Sequence, residues 1–190
     1  MRTAIFGGTF DPIHCAHLTV AREAADAFAL DRVLFIPAAN PPHKETGASY
    51  EDRYKMVELA CAGEPRFIAS RLEEGRDKSY SIHTIERVKA QPGAGEVFFV
   101  IGSDAFAEIR SWYQWEKVVR ETEFIVVSRP GHTYSIPPGA RVHRLETVAL
   151  PVSSSETRQA LARGETPDEL PPAVAEYIRE RGLYNARITG

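Results

Sequence analysis

Five short runs of the chain carry no polar side chain: Ala4-Ile5-Phe6, Val33-Leu34-Phe35-Ile36, Phe67-Ile68-Ala69, Val97-Phe98-Phe99-Val100-Ile101 and Phe124-Ile125-Val126-Val127. A strand with one wet face alternates apolar and polar residues, so unbroken runs of this length predict strands covered on both faces. Val142 to Leu150 predicts a last, more polar strand. Between the runs the apolar spacing becomes helical. Leu18, Ala21, Ala25 and Phe28 mark one face of a helix from about His14 to Leu30, and Tyr54, Met56, Val57 and Leu59 mark another from Tyr50 to Ala62. Further helices are predicted over Ser81–Gln91, as one or two segments through Val119, over Ser155–Arg163, and over Ala173–Arg181. Pro171-Pro172 opens the last of these and Gly182 closes it.

Strands alternating with helices predict an α/β fold: a Rossmann-like, doubly wound parallel sheet with helices on both faces. The stretches AANPPHKETGAS and GHTYSIPPGA read as loops, because prolines and glycines interrupt either period. No repeat or low-complexity linker divides the sequence, so residues 1–190 are expected to form one domain.

Charge and cysteine content narrow the function classes. A formal net charge of −3 gives no basic footprint for nucleic acid, so an anionic ligand would have to be met by local positive groups. No stretch is long enough to span a bilayer, and no signal-peptide pattern opens the chain. Cys15 and Cys61 make no disulfide framework and suit a reducing compartment, so a cytoplasmic protein is expected. Oligomeric state stays open.

In an open parallel sheet, ligands bind beyond the carboxyl ends of the strands. Three predicted strand ends carry unusual residues: Gly7-Gly8-Thr9-Phe10-Asp11, the loop holding His43-Lys44, and Gly102-Ser103-Asp104. Glycines there let a ligand approach the backbone. His14 and His17, three residues apart, share one face at a helix start, where unpaired N–H groups and the helix dipole favour phosphate. The stretch therefore reads as a nucleotide phosphate site. Gly7-Gly8 alone would favour an ordinary tight turn. A zinc site on His14, Cys15 and His17 is disfavoured, because such close neighbours cannot all converge on one ion and the chain has one other cysteine.

GGTFDPIHCAH, residues 7–17, resembles the first signature of the HIGH-superfamily nucleotidyltransferases, G-G-(T/S)-F-D-P-(I/V)-H-x-G-H. VSSSETR, residues 152–158, resembles their second, I-S-S-T-x-(I/V)-R. PPHK, SYSIHT, IGSDAFAEIRSWYQW, VVSRPG and VAEYIRERGLY are similar to the bacterial nicotinate mononucleotide adenylyltransferase family, so the likeness covers essentially the whole chain. Four departures stand out: Ala16 for glycine, Ser155 for threonine, Thr157 for an aliphatic residue, and His83 for aspartate. Thr157 is expected to sit less deeply in the core than the aliphatic residue it replaces.

The resemblance implies transfer of the adenylyl group of ATP to nicotinate mononucleotide, giving deamido-NAD and pyrophosphate. It implies that His14, His17 and Arg158 are catalytic, contacting the ATP phosphates. Gly7, Gly8, Thr9, Phe10, Asp11, Lys44, Gly102, Asp104, Ser154 and Ser155 would bind ATP, Asp104 at the ribose. Thr84, Trp112 and Tyr113 would bind the mononucleotide: the aromatic pair on the pyridine ring, the Thr84 and Tyr113 amides on its carboxylate. Magnesium would arrive with ATP, held by phosphates and water rather than by protein ligands.

Overall fold

The computed structural model describes residues 1–41, 45–75, 78, 80–149 and 153–185. Each of the five apolar runs becomes a strand, and a sixth joins them: β1 (Arg2–Gly8), β2 (Arg32–Pro37), β3 (Phe67–Ala69), β4 (Glu96–Gly102), β5 (Glu123–Ser128) and β6 (Arg141–Glu146). They form one sheet in the order β3-β2-β1-β4-β5-β6, and every neighbouring pair is parallel. The helices between and after them are α1 (Cys15–Ala27), α2 (Tyr50–Cys61), α3 (Ser81–Ala90), α4 (Ser103–Ala107), α5 (Trp115–Glu121), α6 (Ser154–Ala162) and α7 (Pro172–Arg181).

Alternation along the strands sends successive side chains to two separate cores. Ala4, Phe98, Val100, Ile125 and Val127 pack with α1, α2, α6 and α7 through Val20, Ala24, Met56, Leu161, Val174 and Ile178. Ile5, Phe99, Ile101, Phe124 and Val126 pack on the other face with Ile82, Ile85, Val88, Phe106 and Val118. Burial on both faces is the reason the strands read as unbroken apolar runs. β6, at one edge, pairs on its outer side with no strand among the described residues and mixes polar with apolar residues accordingly.

The strand order reverses between β1 and β4, and there the sheet opens. β1 pairs with β4 only as far as Ile5 opposite Phe99. β1 then continues beside β2 to Gly8 opposite Pro37, while β4 continues beside β5 to Gly102 opposite Val127. The two central strands thus part company three residues before their ends and leave a crevice at the carboxyl edge. This is where an open doubly wound sheet binds its ligands.

The elements differ from expectation in three places. The segment through Val119 is two α-helices, α4 and α5, with a 3₁₀ turn at Ile109–Ser111 between them, and Gln114 takes a left-handed conformation (φ 53°) just before α5. β6 ends at Glu146, four residues short of the expected Leu150, which lies outside the described residues. Thr157 is fully buried, contrary to the expectation of a shallower side chain: its one hydroxyl proton is shared between the Ser153 carbonyl at 3.1 Å and the Glu169 carboxylate at 3.2 Å, which satisfies it in the core.

Candidate active site

Two cavities flank the parted strands. The larger, about 730 Å³, is lined by Thr9, Phe10, Asp11, His14, His17, Ser154, Ser155 and Arg158, with Ala16 and Glu45. The smaller, about 350 Å³, is lined by Gly7, Gly8, Glu73, Ser81, Thr84 and Trp112. Phe6, Thr9, Val100, Ile101 and Gly102 line both, so the crevice between β1 and β4 is their common wall. A Cβ built on Gly102 would meet nothing within 4 Å, which leaves the shared rim open.

His14 caps α1 and His17 sits in its first turn. The His14 backbone N–H donates to His17 Nδ1 at 3.1 Å. An Nδ1 that accepts cannot carry the proton, so Nε2–H is the donor His17 has left. The two rings stack with centroids 3.8 Å apart, and His17 rests edge-on against Phe10 at 5.1 Å. Burial lowers the His17 pKa to about 3, with the neighbouring His14 adding to the effect. Burial also lowers His14 to about 4, although Glu169 pulls the other way. Both imidazoles are therefore neutral at pH 7. His14 Nδ1 is buried with no hydrogen-bond partner among the described residues, a polar atom that a ligand in the larger cavity could satisfy.

The second signature closes the same cavity from the far end of the chain. Ser153 caps α6, accepting from the Glu156 N–H at 3.4 Å. Ser154 Oγ donates to the Pro12 carbonyl at 3.0 Å, and Arg158 Nη1 donates to the Asp11 carbonyl at 2.9 Å. Residues about 145 positions apart are thereby fixed to one another through backbone oxygens.

Asp11 lines the cavity, but its carboxylate is committed elsewhere. Oδ2 accepts from the Gly47 N–H at 2.7 Å, and Oδ1 accepts from the Ala48 N–H at 3.1 Å and from the Tyr184 hydroxyl at 2.6 Å. Arg53 lies beneath, 1% exposed, and donates to the carbonyls of Thr9 and Ala38 at 2.8 Å each and of Ala48 at 3.3 Å. A cation so deeply buried is tolerable because three carbonyl dipoles surround it and Asp11 is near. Among the described residues no group of three or more His, Cys, Asp or Glu side chains could hold a metal ion.

Sequence expectation and geometry diverge for several residues. Gly7 and Gly8 were expected on the ATP side, yet they line the smaller cavity. A Cβ on Gly8 would press on the Phe10 ring at 3.2 Å, so packing alone already favours glycine there. Thr84 and Trp112 come together in the smaller cavity, Trp112 braced edge-on by Phe99 at 5.7 Å. The Thr84 amide donates to the Tyr80 carbonyl at 3.3 Å inside the first turn of α3, and its hydroxyl donates to Glu73 at 2.8 Å. Tyr113 is 49% exposed, its ring 4.5 Å from that of Tyr80 and 6.0 Å from His83, and it lines neither cavity. Asp104 also lines neither; its exposed carboxylate lies 4.0 Å from His132. Lys44 falls outside the described residues. Glu45, Arg53, Glu73, Ser81 and Tyr184 were not anticipated; of these Ser81, inside SYSIHT, and Tyr184, at the end of VAEYIRERGLY, fall in family-like stretches.

A family described as cytidylyltransferase-like matches residues 5–160 of this chain. A protein of Solibacter usitatus named "Probable nicotinate-nucleotide adenylyltransferase" is 59% identical over 189 residues, covering 97% of this chain and all of the relative. One of the same name from Thermus thermophilus is 40% identical over 186 residues, again covering 97% of this chain and the whole relative. Among solved structures, a Plasmodium falciparum nicotinic acid mononucleotide adenylyltransferase complexed with NaAD superposes with a TM-score of 0.81, covering 98% of each chain. At 21% identity that likeness speaks to the fold. No helix among the described residues is long and apolar enough to cross a membrane.

Proposed function

The chain belongs to the nicotinate-nucleotide adenylyltransferases, within the cytidylyltransferase-like family, and from that membership we infer that it transfers the adenylyl group of ATP to nicotinate mononucleotide. The products are deamido-NAD and pyrophosphate. The observation that supports this best is the pair of cavities joined along the parted ends of β1 and β4. A reaction between two nucleotides needs two sites that meet at one edge, and the meeting place lies between Thr9 and Gly102.

ATP occupies the larger cavity and the mononucleotide the smaller. A phosphate oxygen of the mononucleotide attacks the α-phosphorus of ATP, and the bond from that phosphorus to the bridging oxygen of pyrophosphate breaks. No covalent enzyme intermediate is needed, so catalysis rests on holding two anions in line and stabilising the charge that develops. His17 donates from Nε2 to the α-phosphate, and His14 donates beside it. Both serve as neutral donors whose hydrogen bonds strengthen as charge grows. Arg158 holds the departing phosphates through its planar guanidinium, with Ser155 and the start of α6 supplying further donors and Ser154 lining the site with its hydroxyl proton held by the Pro12 carbonyl. ATP enters as its magnesium complex, the metal belonging to the substrate and held by phosphates and water. Lys44 adds positive charge toward the ATP phosphates, and Asp104 and Gly102 meet the adenosine. The setting is the cytoplasm, which the free thiols of Cys15 and Cys61 suit.

The pyridine ring lies on Trp112, with Tyr113 at the rim. Its carboxylate faces the start of α3, where Ser81 lines the cavity and the helix dipole favours an anion, the Thr84 amide and hydroxyl being already held by Tyr80 and Glu73. The acid form should therefore be preferred over the amide form by about tenfold in kcat/KM. Competition between the two mononucleotides at limiting ATP, with products identified by mass, tests both levels. If the two react equally, the acid assignment falls and adenylyl transfer survives. If neither gives a dinucleotide, the whole reading falls.

A further inference from the structure

We propose that Tyr184, beyond the last helix, is a positioning residue for the ATP phosphates, acting through Asp11 on Arg158. The proposal rests on the ATP site assigned above. Its evidence is a short chain of contacts. The Tyr184 hydroxyl donates to Asp11 Oδ1 at 2.6 Å, and the carbonyl of the same Asp11 accepts from Arg158 at 2.9 Å. Both ends of one residue are thereby tied to two different elements. The other carboxylate oxygen takes the Gly47 amide, and Gly47 lies between the Tyr184 ring and the Arg158 stem: a Cβ there would fall 2.9 Å from the ring and 3.4 Å from Arg158 Cδ.

The conformation of Tyr184 points the same way. It follows Gly182, itself left-handed at the end of α7, and takes φ 59° in a short turn at 183–185. A bulky L-residue rarely adopts such a backbone, and surrounding contacts must hold it there. Tyr184 is 8% exposed, and burial together with the Asp11 carboxylate pushes the phenol pKa upward, so the hydroxyl stays a donor. The hydroxyl's one proton is spent on Asp11, and Tyr184 lines neither of the two substrate cavities. What it can do is fix the Asp11 backbone, on which the Arg158 guanidinium is hung.

Tyr184→Phe keeps the ring and removes the hydroxyl. In the parent, activity on nicotinate mononucleotide and ATP is measured first, so failure of the assigned reaction is seen separately. For an active parent, the variant should lose about tenfold in kcat/KM for ATP, with KM for the mononucleotide within twofold of the parent. In an Arg158→Lys background the same change should cost less than twofold, because the geometry it protects is already gone. Equal loss toward both substrates, or the full tenfold repeated in the lysine background, would reduce Tyr184 to a stabilising residue. So would an unchanged kcat/KM for ATP. Should Tyr184→Phe not fold, Gly47→Ala, which pushes the ring away from Asp11, is read by the same two criteria.

Discussion

The larger cavity offers two imidazoles, two serine hydroxyls and a guanidinium; the smaller offers an indole face, a threonine, a serine and Glu73. In the first, three of the five polar groups are held by a backbone atom: His17 by the His14 amide, Ser154 by Pro12, Arg158 by Asp11. The second is bounded by ring packing, Trp112 against Phe99, with one side-chain pair, Thr84 with Glu73. The contrast matches two tasks. Charge that appears only in the transition state is best met by donors that need not move, whereas a flat ring needs an apolar face and few directional contacts.

Removing a fixed donor should therefore cost far more than removing the flat face. His17→Ala is expected to lower kcat by about 10² to 10³, with KM for ATP changing much less. His17→Asn, which can still accept from the His14 amide, should be nearly as poor, because it lacks the donor at the Nε2 position. Steady-state kinetics showing either variant within threefold of the parent would remove His17 from the chemistry.

On the other side, Trp112→Ala should raise KM for nicotinate mononucleotide by about tenfold through lost ring contact. KM for ATP should stay within twofold. A loss expressed on ATP instead would mean that the two cavities are not divided between the substrates as proposed.

The smallest effect concerns protons. Both histidines have folded pKa values, about 4 for His14 and about 3 for His17, below the unfolded value near 6.5. Below pH 6.5 the unfolded chain therefore binds protons that the folded one refuses, and stability falls as pH drops toward 4. The slope is at most about 1.4 kcal/mol per pH unit for each histidine. Denaturant unfolding of the parent and of His17→Gln, compared at pH 7 and pH 5, should show a shallower pH dependence in the variant. Parallel profiles would mean that His17 is not buried neutral.

Local pattern determined a great deal here. Unbroken apolar runs gave away a sheet covered on both faces, because burial of both strand faces leaves no position for a polar residue. The residues proposed to handle phosphate fall in two signatures, each a contiguous stretch around a helix start. What the chain order could not express was which way side chains turn once strands and loops are packed. Asp11 reads as a ligand but is turned into a clamp by donors from residues 47, 48 and 184. Arg53, which no sequence signal singled out, is among the most deeply buried side chains and donates to three loop carbonyls. Gly7 and Gly8 belong to the smaller cavity because β1 leaves β4 after Ile5, a decision of strand pairing that no residue type encodes. Periodicity records burial one segment at a time, whereas the crevice, its two sides and the Asp11 clamp exist only where distant segments meet.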